Sequence, residues 1–157
     1  MDSAEQRRSA VSCSLVFEVA ERFGEVRLRV NGASMAPSIW PGDVLTVRRV
    51  GLAELRNRDV ILYRRQEVLI AHRVIQVGND HVITKGDTLL RHDPELHASD
   101  LVGQVVGIER NGRHIRPQYS NWQRAASSIL GRSTSCLRIA LRVQRLLRWP
   151  IQAATAE

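Results

Sequence analysis

Apolar and polar residues follow a regular spacing along most of this chain, and the period changes twice. Val11, Leu15, Val19 and Phe23 recur every fourth residue and Gly24 follows, which predicts a short amphipathic helix over 11–23. From Glu25 to Val30 the period drops to two. Val26, Leu28 and Val30 share one side and charges the other, the pattern of a half-buried strand, ended by Asn31-Gly32. Further strand-like runs follow between turn signals. Val44 to Arg49 comes after Pro41-Gly42-Asp43, and Val60 to Arg64 after Asn57-Arg58-Asp59. Val68 to Val77 is closed by Gly78-Asn79-Asp80, and His81 to Thr84 leads into Lys85-Gly86-Asp87. Leu101 to Arg110 runs into Asn111-Gly112, a two-residue hairpin signal, so His114 to Arg116 is expected to pair back. Short strands at regular intervals predict a mainly β, antiparallel, sandwich-like or barrel-like body.

After Pro117 a helical period returns. Cys136, Ile139, Ala140, Val143, Leu146 and Leu147 fall on one helical face, and Arg138, Arg142 and Arg145 on the other. This predicts a basic amphipathic helix ending before Pro150. The chain therefore divides into a β-body over 1–118 and a basic helical extension over 119–157, with no internal repeat.

Charge sharpens that division. The net charge of +7 splits into +5 from Tyr119 onward and +2 over the preceding residues. The extension could cover an apolar face of the body or lie on an anionic membrane surface with the help of Trp149. Nucleic acid is not expected as a partner, because aromatics are only 4% of the chain and no recognition motif accompanies the arginines. No stretch reaches the roughly 18 consecutive apolar residues of a membrane span, and the polar N-terminus lacks the apolar run of a secretory signal. The expected location is the cytoplasm or the cytoplasmic face of the membrane. Cys13 and Cys136 form neither a metal-ligand spacing nor a disulfide framework, and two free thiols suit a reducing compartment. No metal or cofactor is expected.

Four segments hold residues suited to chemistry. They are Gly32-Ala33-Ser34-Met35-Ala36-Pro37-Ser38-Ile39, Arg58-Asp59-Val60-Ile61-Leu62-Tyr63, Ala71-His72-Arg73-Val74-Ile75, and Thr84-Lys85-Gly86-Asp87 with Asp93 beyond it. A serine hydroxyl is a weak nucleophile at neutral pH and needs a neighbouring base. Histidine titrates near neutrality and can supply that base, and an aspartate can fix its tautomer. Exposed amides beside a Gly-containing turn can stabilise an oxyanion, each such donor being worth roughly 3–4 kcal/mol of barrier. Each residue also has a plainer role. Ser34, Asp87 and Asp93 each lie in turn-forming sequence, and His72 lies in an apolar run where a hydrogen-bonded core histidine would fit. Gly42 and Gly86 are expected to serve turns that need unusual backbone angles. His81, His92, His97 and His114 lack ligand spacing and read as surface or loop residues.

The order and wording of these segments resemble the signal peptidase I family. Ser34-Met35-Ala36-Pro37 is similar to its nucleophile box, followed by Pro41-Gly42-Asp43-Val44. Asp59-Val60-Ile61-Leu62-Tyr63 resembles its next strand, Ala71-His72-Arg73-Val74-Ile75 its general-base strand, and Thr84-Lys85-Gly86-Asp87 its acidic box. The resemblance spans about residues 31 to 107. Most bacterial members carry lysine before the Arg-Val of the base strand, and His72 there matches the subtype of the endoplasmic reticulum, archaea and some spore-forming bacteria. The resemblance implies an antiparallel, partly closed β-body shared with self-cleaving repressors. It implies Ser34 as nucleophile, His72 as base and Asp93 as its orienter with Asp87 in support. Gly32, Ser34, Met35 and Pro37 would border the oxyanion and substrate site. Family members usually carry a membrane anchor, and this sequence shows none. The expected function is endoproteolysis of an extended peptide or precursor protein. The alternatives are a peptide-binding module without catalysis, or a self-processing, repressor-like protein. The latter relatives use Ser–Lys, whereas the only lysine here, Lys85, sits in the acidic box.

Overall fold

The computed structural model describes residues 3–117 and residue 142. Among them one helix precedes a succession of strands: α1 (Ser3–Phe23), β1 (Glu25–Arg29), β2 (Val44–Arg48), β3 (Val60–Arg65), β4 (Val68–Val77), β5 (His81–Lys85), β6 (Leu96–His97), β7 (Leu101–Arg110) and β8 (Arg113–Ile115). The fold is mainly antiparallel β. The strands pair in the order β1-β2-β7-β3-β4-β5-β6, with β8 folded back on β7. Apart from Arg142, the basic helix expected over 136–147, and with it the extension over 119–157, lies outside the described residues.

The central strand explains why the sheet carries two cores. β3 reads Val60-Ile61-Leu62-Tyr63 without alternation, as a strand buried on both faces must. Val60 and Leu62 join one core with Val47, Val105 and Ile108. Ile61 and Tyr63 join the other with Val74, Val82 and Leu96. Each such side chain contributes roughly 1.5–3 kcal/mol when fully buried. At the edge, β1 keeps its two-residue alternation, with Val26 and Leu28 turned inward and its charges outward.

Turn chemistry fixes the registers. Asn111 and Gly112 both take positive φ, 52° and 71°, the type I′ hairpin geometry. Arg110 therefore pairs with Arg113, and β8 begins one residue sooner than the expected His114. The β3–β4 hairpin closes in the same way through Gln66 and Glu67, at φ 48° and 60°, with no Asn-Gly to announce it. Strand β6 was not anticipated. Its two residues carry too short a pattern, and only their pairing with His81 and Val82 defines them.

The N-terminal helix departs from expectation in length and in face. It begins at Ser3 rather than Val11, and it stops as expected at Gly24, whose φ is 73° and whose amide bonds the Ala20 carbonyl at 3.0 Å. The residues packed on the core are Cys13, Val16, Phe17 and Ala20. Of the expected apolar face, Val11, Leu15 and Phe23 are exposed and Val19 is half-buried. A strict four-residue spacing drifts by about 40° per step around a helix of 3.6 residues per turn, so it cannot hold one face. The 13/16/17/20 set follows the i, i+3, i+4, i+7 stripe that does. Among the described residues, no helix is long and apolar enough to cross a membrane.

Candidate active site

The site is organised by two consecutive residues of β4. His72 and Arg73 point to opposite sides of the strand, as successive residues must. Each takes one aspartate from the segment that follows β5.

On one side His72 bridges the nucleophile candidate and Asp93. His72 Nδ1 lies 2.7 Å from Asp93 Oδ2, and His72 Nε2 lies 3.0 Å from Ser34 Oγ. Asp93 is half-buried. Burial alone would raise its pKa, but hydrogen bonds from His72, Thr84 and Tyr63 outweigh it and hold the carboxyl below its ordinary value. An ionised carboxylate only accepts, so His72 Nδ1 carries the proton and Nε2 turns its lone pair to the Ser34 hydroxyl. Thr84 Oγ1 donates to the same Asp93 oxygen at 2.6 Å, and the Asp93 amide donates to the Thr84 carbonyl at 2.8 Å. Tyr63 sits edge-on to the imidazole, its hydroxyl 3.4 Å from Nδ1. Burial pushes its phenol up to about 12, so it stays neutral at physiological pH.

On the other side Arg73 grips Asp87 with a two-pronged pair. Nε reaches Oδ1 and Nη2 reaches Oδ2, each at 2.8 Å. Ser38 Oγ donates to Asp87 Oδ2 at 2.6 Å, and Arg73 Nη1 donates to the Arg58 carbonyl at 3.0 Å. Asp87 thus holds the Ser34–Ser38 turn through Ser38 and does not touch His72. A second clamp holds the far end of that turn. Buried Asp43 accepts from the Trp40 amide and from Arg110 on β7, whose Nη2 also reaches the Ser38 carbonyl at 3.1 Å.

Gly86 owes its identity to this crowding. A Cβ there would stand 2.9 Å from His72 Nε2. Gly42 fits the expected reason, a positive φ of 90°, but Gly86 shows no positive φ and is required by the close approach of the imidazole.

Ser34 and His72 open onto a groove of about 620 Å³. Its walls are the stretches Leu28–Gly32 and Val68–His72, its floor includes Met35, Ile39 and Leu62, and Ser12 of α1 borders it. β5 pairs with β4 only from Arg73 onward, so Val68–His72 has an open edge of roughly 13 Å. β1 pairs only with β2 among the described strands, so its outer edge is open too. Of the residues expected to border the site, Gly32, Ser34 and Met35 line this groove, while Pro37 is buried behind the turn. The Ser34 and Met35 amides have no acceptor among the described residues, whereas the Ala36 amide bonds the Ala33 carbonyl. Lys85 lies on β5 opposite Arg73, and so on the Arg73 side of the sheet and not the His72 side. No protein-family model and no curated protein matches the chain. Among the described residues, no group of three or more His, Cys, Asp or Glu side chains could hold a metal ion.

Ser38, Tyr63 and Thr84 lie in the segments marked for chemistry but have no role assigned from sequence, and Thr88 and Arg110 lie outside those segments; all five complete the site. Thr84 meets Asp93 because the segment after β5 turns back beside that strand, and the Asp93 amide bonds the Thr84 carbonyl.

Proposed function

We propose that this chain is a serine endopeptidase of the signal peptidase I type, with a β-body of the kind shared with self-cleaving repressors. The observation that carries the reading is the Ser34–His72–Asp93 line, at 3.0 and 2.7 Å, set at the mouth of an apolar groove with open strand edges. An extended substrate adds its backbone to the open edge at Val68–His72 and sets alternate side chains among Leu28, Leu69 and Ala71. Ser34 Oγ attacks the scissile carbonyl while His72 Nε2 takes its proton, and Asp93 stabilises the resulting imidazolium. The free amides of Ser34 and Met35 lie beside the nucleophile, where an oxyanion needs donors. His72 then protonates the leaving amine, and water hydrolyses the acyl-enzyme by the same route. The substrate is a precursor peptide or protein, met in the cytoplasm or at the cytoplasmic face of the membrane.

The open groove equally suits a module that binds peptides without cutting them, and one experiment separates the two. Mass-spectrometric cleavage profiling on a diverse peptide library compares wild type, Ser34→Ala and His72→Ala. The enzyme reading expects cleavage by wild type alone. Peptides retained uncut by wild type and by Ser34→Ala alike would establish the binding module instead. Cleavage that survives His72→Ala but not Lys85→Ala would establish the Ser–Lys chemistry of the repressor-like alternative.

A further inference from the structure

The segment between the two aspartates leaves the site and returns to it. At its start the Thr88 amide and hydroxyl both bond the carbonyl of Ser34, at 2.9 and 3.0 Å. At its end Asp93 holds His72. The residues between line a second, shallow hollow of about 470 Å³, formed by Thr88, Leu89, Leu90, Arg91, His92 and Asp93. Ser34 and His72 border the large groove, and the two ends of this loop are bonded to the Ser34 carbonyl and to the His72 imidazole, so both recesses are tied to the same two residues.

The composition of the second recess is unusual for a loop. Leu90 is 73% exposed and Leu89 41% exposed. Leu89 adjoins the reacting atoms: the position of a Cβ on Gly86 is 2.9 Å from His72 Nε2 and equally 2.9 Å from the Leu89 Cγ and Cδ1. Arg91 and His92 are exposed, and neither has a hydrogen-bond or ion-pair partner among the described residues. Two exposed leucines cost solvation free energy unless something covers them, and the Arg91 guanidinium beside them, with the His92 imidazole as a second hydrogen-bonding group, favours an anionic companion.

We infer that the loop 88–92 is the binding site for the part of the substrate that follows the scissile bond, selecting an apolar side chain directly after the cut and an acidic one beyond it. This rests on the peptidase reading for the identity of the occupant. A peptide lying in the large groove with its scissile carbonyl at Ser34 must continue past His72, and Leu89 is the side chain it meets there. Leu89 and Leu90 cover the first leaving-side residue, and Arg91 with His92 meets the acidic one.

The test measures binding to the Ser34→Ala protein by fluorescence polarisation, so that it does not depend on turnover. Three labelled peptides share the front half Val-Leu-Ala-Ala. One continues with Leu-Glu-Ser-Gly, one with Gly-Lys-Ser-Gly, and one ends after the front half. The expected result is that the Leu-Glu peptide binds about fivefold or more tighter than the Gly-Lys peptide, as one added apolar contact and one ion pair allow. Adding Leu90→Asp and Arg91→Glu should abolish or invert that preference and leave the affinity of the front half alone unchanged, which also controls for folding. Equal affinity for the two back halves would overturn the inference while leaving the peptidase reading in place. The expected preference without cleavage of either full-length peptide by wild type would uphold loop 88–92 as a site for an apolar–acidic peptide segment and overturn its assignment to the leaving side of a scissile bond. Failure of all three peptides to bind would overturn both.

Discussion

His72 and Arg73 are adjacent in sequence and each pairs with an aspartate, yet the two pairs are built for different ends. The Arg73–Asp87 pair is sealed, with side chains only 6% and 3% exposed, and its remaining bonds go to Ser38 and the Arg58 carbonyl. The His72–Asp93 pair is held by Thr84 but keeps Nε2 directed to Ser34 at the mouth of a groove. One pair has every polar atom committed to the fold, and the other leaves one nitrogen for chemistry. Alternation along β4 separates them: a one-residue slip in register would exchange their faces.

The comparison predicts that conservative changes on the two sides fail differently. Asp93→Asn keeps the shape but removes the acceptor that fixes the tautomer, so peptide cleavage should fall by about 10⁴-fold in kcat with the fold intact. Steady-state kinetics beside a thermal melt would check this, and a loss of only a few fold would mean that Asp93 does not orient His72. Asp87→Ala should reverse the pattern. Breaking a buried pair by removing one partner costs about 3–5 kcal/mol, because the buried Arg73 charge loses its balancing carboxylate. Urea denaturation should show that loss, and unchanged stability would break the distinction between the two pairs.

Gly86→Ala tests the narrow space between the pairs. The new Cβ would meet His72 Nε2 at 2.9 Å, so the imidazole must shift by a few tenths of an ångström or more. Displacement of a base on that scale costs up to about 10²-fold in rate. The expected outcome is a lower kcat at nearly constant melting temperature, and full activity would show that the loop yields instead.

The smallest effect is on acid stability. The depressed pKa of Asp93 arises against the opposing pull of burial, from the hydrogen bonds of His72, Thr84 and Tyr63. A carboxyl held below its unfolded value contributes stability that is complete above the unfolded pKa of about 4 and disappears as the pH falls through the folded value. Denaturation midpoints between about pH 2 and pH 6 should therefore decline less steeply in Thr84→Val, where one of the three donors is missing, than in wild type. Parallel curves would show that Thr84 leaves the carboxyl's titration untouched.

Where a residue's environment follows from its own neighbours, it was legible in the sequence. The Asn111-Gly112 hairpin, the apolar run of β3 and the alternation of β1 are local patterns, and each element formed near its expected place. Ser34, His72 and Asp93 could be named as a set only because their segments resemble a known family, and the fold brings them within hydrogen-bonding distance. The face of α1 was misread, because a helix has no inside until a core is presented to it. The role of Gly86 was misassigned to backbone angle, because the obstacle is an imidazole from another strand.

The sequence by itself determined that the body is made of short antiparallel strands, where most of them begin and end, and which side chains are capable of acid–base and nucleophilic chemistry. These follow from periodicity, turn propensity and functional-group identity, all properties of nearby residues. Only the tertiary structure decided which aspartate meets the histidine and which meets the arginine, and that Thr84, Ser38 and Arg110 support them. Those outcomes depend on strand register and on contacts between residues far apart in the chain, and hydrogen bonds act only over about 3 Å, so a shift of one residue would have produced a different set.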